Sequence, residues 1–244
     1  MNHFFLISDF NTQAYQIGLM KQSILKNDTS AIIIDFFHHI RLNNINEAAF
    51  IAKKIKNTDN QKHIIVIKVG NAKQCVVYQH LTNYYVLPDN GLLSLIVDSI
   101  DSEKVFSYSI EDEDKAFNYI INNQLNLLKK AQNYVSLFSR KPFINGNIIT
   151  AEVIHIDFHG NCYFNIDEIT LKDFISNKSF NIKVQNHIGI ITQKISLNVF
   201  EISDGNPGVL FSKNGYLKLI IKMGSAMKLL RIKENTKIII ELTS

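Results

Sequence analysis

Three clusters of polar side chains follow directly on apolar runs: Ser8-Asp9-Phe10-Asn11-Thr12, Asp35-Phe36-Phe37-His38-His39 and Gly70-Asn71-Ala72-Lys73. In an open parallel sheet, ligands bind outside the carboxyl ends of the strands, where loops converge and helix amides face the gap. Asp9 offers a carboxylate whose two oxygens suit the vicinal hydroxyls of a ribose. An aspartate at such a place serves equally well as the cap of the helix that follows. Asp35, His38 and His39 have the donor types of a divalent-metal site. The other histidines fall in unrelated segments, so an aspartate capping a turn beside backbone-satisfied histidines is the simpler reading. In the second half, Asp157-Phe158-His159-Gly160-Asn161 is a polar turn between apolar strands. Asn161 has both a donor and an acceptor for an adenine edge, and Asp157 an acceptor for an ammonium group. Gly-Asn between strands is also a hairpin signal in its own right. Gly224-Ser225-Ala226 either caps a short helix or lets a ligand approach the backbone.

Several common chemistries lack their motifs. There is no G-x-G-x-x-G after the first strand, no G-x-x-x-x-G-K-S/T and no G-x-S-x-G, so the usual dinucleotide and triphosphate cradles and the nucleophile elbow are missing. Cys75 falls inside a strand pattern, where cysteine acts as a small buried hydrophobe. Cys75 and Cys162 have no metal-ligand spacing and suggest neither a disulfide framework nor a zinc site.

The elements that position these residues change character along the chain. Phe4 to Ile7, Ala31 to Ile34 and His63 to Val69 read as strands separated by helices over Tyr15 to Lys26 and Asn46 to Lys56, the pattern of a parallel sheet covered by helices. The all-apolar Ala31-Ile32-Ile33-Ile34 reads as a strand buried on both faces. Cys75 to His80 and Tyr84 to Leu87 form a hairpin stopped by Pro88, and Asp89-Asn90-Gly91 leads into a helix at Leu92. After a strand over Lys104 to Tyr108, Asp112 to Phe138 has helical period. Glu111 to Asp114 either enters a pocket or starts that helix, where carboxylates favour the dipole. Ser139-Arg140-Lys141-Pro142 marks a boundary, because the residue before proline is pushed out of helical geometry.

Beyond it the chain reads as strands: Asn147 to Asp157, Cys162 to Ile166, Asn181 to Val184, Ile188 to Lys194, Asn198 to Ile202, Val209 to Ser212, Tyr216 to Lys222 and Lys237 to Leu242. A short helix over Ser225 to Leu230 interrupts them. The expected organisation is an N-terminal Rossmann-like α/β domain over residues 1–140 and a C-terminal all-β barrel or sandwich over 141–244.

Hydrophobic residues make up 46% of the 244, enough for one large core or two modest ones. Basic residues exceed acidic ones by four, but they are scattered rather than gathered into the stripe a nucleic-acid protein presents. No apolar run approaches the length a bilayer requires. The expectation is a cytoplasmic protein with no nucleic-acid or membrane partner.

These segments together resemble the S-adenosyl-L-methionine (SAM) hydroxide adenosyltransferase family, similar in fold to fluorinases and chlorinases. Ser8-Asp9-Phe10-Asn11 resembles the family's T-D-F-G and Gly18-Leu19-Met20-Lys21 its G-x-M-K. Ile34-Asp35-Phe36-Phe37-His38-His39-Ile40 with Glu47-Ala48-Ala49-Phe50 resembles V-D-I-T-H-x-I with E-A-A-F, and Pro88-Asp89-Asn90-Gly91-Leu92 matches P-D-N-G-L throughout. Ile156 to Asn161 is similar to I-D-x-F-G-N, Asn165-Ile166 to the N-I that closes it, and Gly224-Ser225-Ala226 with Leu229-Leu230 to G-S-A-A-x-x-L-G.

The resemblance implies a small adenosyl ligand, SAM as substrate rather than any cofactor or metal. Its site would be shared between the N-terminal domain of one subunit and the C-terminal domain of a neighbour in a homotrimer. Asp9 would hold the ribose hydroxyls, Asp157 the methionine amino group and Asn161 the adenine. Phe10, Asn43, Asp89 and Asn90 would join them from the first domain, and His159, Lys213, Met223 and Ser225 from the second. The implied reaction is displacement at the ribose 5′ carbon, with water entering and neutral methionine leaving, to give adenosine.

The residues that activate water in the family differ here. Aligning D-P-G-V-G-T-x-R-R with Val66 to Gln74 sets Val66 at the aspartate and Lys73 or Gln74 at the arginine. Aligning S-T-F-H-G-R-D with Ser109 to Lys115 sets Asp112 at the histidine. Lys73 and Asp112 form a substitute catalytic pair if their loops meet. Halide transfer is disfavoured, because Glu111 and Glu113 fall where the related enzymes line their halide pocket. The alternative to a divergent hydrolase is an inactive trimer that binds or senses an adenosyl ligand. A bare scaffold is the third possibility.

Overall fold

The first apolar run becomes β1 (Asn2–Ser8), flanked by two parallel neighbours, β2 (Ile32–Phe37) and β3 (Lys62–Lys68), which leave Phe4, Leu6 and Ile7 fully buried. The computed structural model describes residues 1–57, 61–138, 141–185 and 187–243. By its contacts the chain divides into two units, Met1–Ser139 and Arg140–Ser244. Ser139 and Arg140 of the expected boundary lie outside the described residues.

In the first unit, α1 (Tyr15–Asn27) and α2 (Ile45–Ala52) are the crossovers that parallel pairing requires. A hairpin of β4 (Cys75–His80) and β5 (Asn83–Pro88) follows, then α3 (Leu92–Ile96), β6 (Val105–Tyr108), α4 (Glu113–Ile121) and β7 (Lys129–Lys130). The strand order is β2-β1-β3-β5-β4-β6-β7, parallel from β2 through β5 and antiparallel beyond. The fold class is therefore α/β with a mixed sheet. Alternate residues Phe4, Leu6, Ile64, Val66, Cys75 and Val77 pack with Phe117 and Ile120 of α4 and with Met20 and Ile24 of α1.

Two expectations for this unit are corrected. β2 is an edge strand, half exposed along its length, with Ile32 at 39%; an apolar run does not reveal which strand ends the sheet. The helix expected from Asp112 to Phe138 stops at Ile121. Asn122 caps it, Asn123 turns left-handed at φ 58°, a conformation asparagine tolerates better than most residues, and Lys129-Lys130 then pairs with β6.

The named strands of the second unit pair antiparallel. Its elements are β8 (Phe143–Asn145), β9 (Ile148–Ile156), β10 (Cys162–Asp167), α5 (Glu168–Ile175), β11 (Phe180–Val184), β12 (Pro207–Phe211), β13 (Tyr216–Ile221), α6 (Ala226–Leu229) and β14 (Lys237–Leu242). The order is β11-β14-β9-β10-β13-β12. β9 pairs with β14 through its first half and with β10 through its second, so the sheet curls around a core that includes Ile149, Val153, Phe164, Leu219 and Ile240.

Here Ile188 to Lys194 and Asn198 to Ile202 are not strands. The first makes one bridge, Thr192 to Ile182, and the second contains a 3-10 turn over Val199–Glu201 begun by Asn198. α5 was not expected, although Asp167 caps it by accepting the Thr170 N–H at 2.8 Å. Among the described residues no helix is long and apolar enough to cross a membrane. Both cysteines are buried and free.

Candidate functional site

Asp9 emerges at the carboxyl end of β1, where its own N–H donates to the Lys68 carbonyl at the end of β3. Its carboxylate oxygen Oδ2 accepts the N–H of Asn43 at 2.9 Å and that of Gly70 at 3.2 Å. Three strand-end loops thus meet on one carboxylate. The capping alternative does not hold: α1 starts after Ala14 with no side-chain cap.

Each of those amides is held in place by its own local chemistry. Asn43 takes a left-handed φ of 60°. Beyond it, Asn44 caps α2 by accepting the Glu47 N–H at 3.1 Å, and the Glu47 carboxylate accepts the N–H and Nε–H of Arg41, which ties the loop before Asn43 to the start of α2. Gly70 has φ 71°, and a Cβ there would stand 2.9 Å from the Asn90 side-chain nitrogen, so a side chain at this position is strained and displaces Asn90. Asn90 in turn donates to the Val69 carbonyl at 2.9 Å and accepts the Leu92 N–H at 3.3 Å. Asp89 accepts from Gln74 Nε2 at 2.9 Å and from the Val135 N–H at 2.8 Å. Asp89 and Asn90 are both engaged in joining loops. Phe10 packs its ring on the core between sheet and helices.

A relay that sequence reasoning missed lies beneath Asp9. The fully buried Ser8 accepts the Phe10 N–H at 3.4 Å and shares a hydrogen bond of 2.7 Å with His38 Nδ1. His38 Nε2 then donates to Asp35 at 3.2 Å, and Lys21 of α1 reaches Asp35 at 2.5 Å. His38 is therefore satisfied by side chains, not by backbone as expected. Burial pushes the Asp35 carboxyl up, but the Lys21 and His38 hydrogen bonds outweigh it and hold the pKa below the usual carboxylate value. Among the described residues no three His, Cys, Asp or Glu converge as a metal site does.

Lys73 and Asp112 both line a cavity of about 510 Å³, with Gln74, Tyr108, Ser109 and Lys115 also in its walls. Asp112 is already partnered, by the Ser109 hydroxyl at 2.9 Å and Lys115 Nζ at 2.7 Å, which together hold its carboxyl below the ordinary range. Val66 is fully buried in the sheet. The acidic run divides: Ile110–Asp112 is a 3-10 turn, Glu113 begins α4 and pairs with Lys68 of β3, and Asp114 bonds Ser23 and Lys26 of α1.

In the second unit, Asp157 closes the β9–β10 turn by accepting the N–H groups of His159 and Asn161 at 3.0 Å each, Asn161 Nδ2 at 2.9 Å and the Tyr163 hydroxyl at 3.2 Å. Asp157 and Asn161 therefore bond each other. Gly160, at φ 78°, lies where a Cβ would overlap Ser225 Oγ, and its carbonyl accepts the Met227 N–H at 2.9 Å. The turn is thus docked on the start of α6, which Ser225 caps through the Lys228 N–H at 3.3 Å. Met223, 87% exposed, adjoins this cluster, and the His159 side chain is exposed beside the open Phe158 ring. Lys213 is not part of it, for it sits in the β12–β13 turn at the other end of β13.

Comparisons with known proteins agree in covering the chain. Residues 4–125 match the family model described as SAM hydroxide adenosyltransferase N-terminal domain, and residues 151–239 the corresponding C-terminal domain. An uncharacterized conserved protein from Thermotoga maritima shares the fold at TM-score 0.75 and 20% identity, with 98% of this chain and 99% of that chain covered. A conserved hypothetical protein from Thermus thermophilus does so at TM-score 0.75 and 18% identity over 100% of both chains.

Proposed function

Because the chain belongs to the SAM hydroxide adenosyltransferase family, we propose that it binds SAM with the ribose at the Asp9 strand end and displaces methionine from the 5′ carbon with water. The observation that carries this reading is the Asp9 carboxylate, fixed through one oxygen by the amides of Asn43 and Gly70. A carboxylate has further lone pairs for a ribose hydroxyl. Sulfonium is a good leaving group, so the protein's task is alignment and deprotonation of water. The turn carrying Asp157 and Asn161, docked against Ser225, supplies the second recognition element, and the functional assembly is a homotrimer.

A second reading, an adenosyl-binding protein without turnover, is favoured by one observation. Val66 is sealed in the core, and Asp112 is neutralised by Lys115. Calorimetry with SAM and chromatography for adenosine, run on one preparation, separate the two readings. Saturable binding with adenosine release supports the hydrolase, binding alone supports the second reading, and no binding overturns both.

A further inference from the structure

Four side chains with no part in the proposed chemistry meet beside Asp9: Ser8 at the end of β1, Asp35 on β2, His38 just beyond it and Lys21 on α1. Ser8 is fully buried and His38 only 3% exposed, whereas Lys21 and Asp35 lie nearer the surface at 35% and 46%. A buried hydroxyl and a buried imidazole that bond each other meet a demand that an apolar pair in the same space would never raise.

What the pair holds is the backbone on either side of Asp9. The Ser8 carbonyl accepts the Ile40 N–H at 3.3 Å, and Ser8 Oγ accepts the Phe10 N–H at 3.4 Å. Asn11, at φ 71°, donates its N–H to the His38 carbonyl at 3.0 Å. The segment after β1 is thus tied to the segment after β2 through the His38 backbone and through the His38 ring. From the middle of that tied segment, the Asp9 carboxylate meets the amides of Asn43 and Gly70. The Asp35 carboxylate can only accept, so His38 Nε2 carries a hydrogen, and in the neutral ring Nδ1 is then the acceptor of the Ser8 hydroxyl. Lys21 steadies Asp35 from the outer side.

We propose that His38 is a positioning residue for the ligand carboxylate. Acting through Ser8, it holds residues 8–11 in the conformation that presents Asp9 Oδ2 to the two loop amides and leaves the other oxygen for a ribose hydroxyl. Asp35 orients the ring. The inference deepens the reading of Asp9 as the ribose contact and, for its ligand, rests on that reading.

The test compares the wild-type chain with Ser8→Ala, His38→Gln and His38→Asn, with a thermal melt of each to establish the fold. Asparagine keeps a polar atom at the Nδ1 position facing Ser8, while glutamine reaches the Nε2 position facing Asp35. Amide hydrogen exchange read by NMR needs no ligand: in Ser8→Ala and His38→Gln, protection at Asn43 and Gly70 is expected to fall about tenfold, as for one lost hydrogen bond. The mid-strand amides of Leu6 and Val66 are expected to keep theirs, and His38→Asn to stay near wild type at all four. SAM affinity by calorimetry is expected to fall about tenfold in the same two variants. Protection at Asn43 and Gly70 unchanged in Ser8→Ala overturns the inference. Protection lost equally at Leu6 and Val66 also overturns it, since the relay then serves the whole sheet. Wild type that binds no SAM overturns the ribose reading, and the exchange data still decide whether His38 positions Asp9.

Discussion

The Asp9 carboxylate accepts the Gly70 N–H at 3.2 Å, linking the ends of two adjacent parallel strands. With Asn43 on the same oxygen, it fixes the carboxylate on which the proposed ribose contact rests at the edge of the sheet.

Replacing that carboxylate separates its two duties. Asp9→Asn keeps an oxygen for the loop amides but loses the charge, so folding is expected to survive while SAM affinity falls about 10- to 100-fold, the equivalent of ~1.5–3 kcal/mol for charge-assisted hydrogen bonds. Calorimetry beside a thermal melt checks this.

Gly70→Ala tests the loop geometry. At φ 71°, with the Asn90 amide 2.9 Å from the new methyl, the substitution is expected to cost about 1–2 kcal/mol from backbone strain alone. It should also weaken SAM binding, because the Gly70 N–H is displaced. Urea unfolding gives the first number and calorimetry the second.

The Asp35 relay predicts a pH dependence of known sign. Because Asp35 titrates below its unfolded value in the folded chain, its stabilisation is fully present above about pH 4 and is lost as pH falls through the folded pKa. Asp35→Asn is expected to be less stable than wild type at pH 7, with the gap closing near pH 3. Urea midpoints at the two pH values check it.

Asp157 accepts four hydrogen bonds in one turn. Asp157→Ala is expected to remove about 2–3 kcal/mol, at roughly 1 kcal/mol net for each bond with some replaced by water. In a chain of this size that lowers Tm by about 2–4 °C per kcal/mol. A Tm that does not move would show that the turn stands without its carboxylate.

Much of this architecture can be read from local pattern. β1, β3 and the β4–β5 hairpin are apolar runs bounded by turn residues, and Pro88 ends β5 as its missing N–H requires. Position within the sheet is not local information, so Ile32-Ile33-Ile34 read as central although β2 is an edge. Helical period continues through Leu125, Leu127 and Leu128, yet the pair Asn122-Asn123 ends α4 first. For the site, Asp9 stands out by its place after a strand, but its partners Asn43 and Gly70 are far away in sequence and come together only through sheet register. The Ser8–His38 link was hidden for the same reason: each follows an apolar run, and only the parallel pairing of β1 with β2 brings them together.

The central claim is that an adenosyl ligand binds at the Asp9 strand end. Calorimetric titration of the wild-type chain and of Asp9→Ala with SAM, with methionine alone as control, tests it most directly. The account predicts saturable binding of SAM by wild type, none of methionine, and loss of SAM binding in a folded Asp9→Ala variant. Equal SAM binding by wild type and Asp9→Ala, or none by wild type, would contradict it.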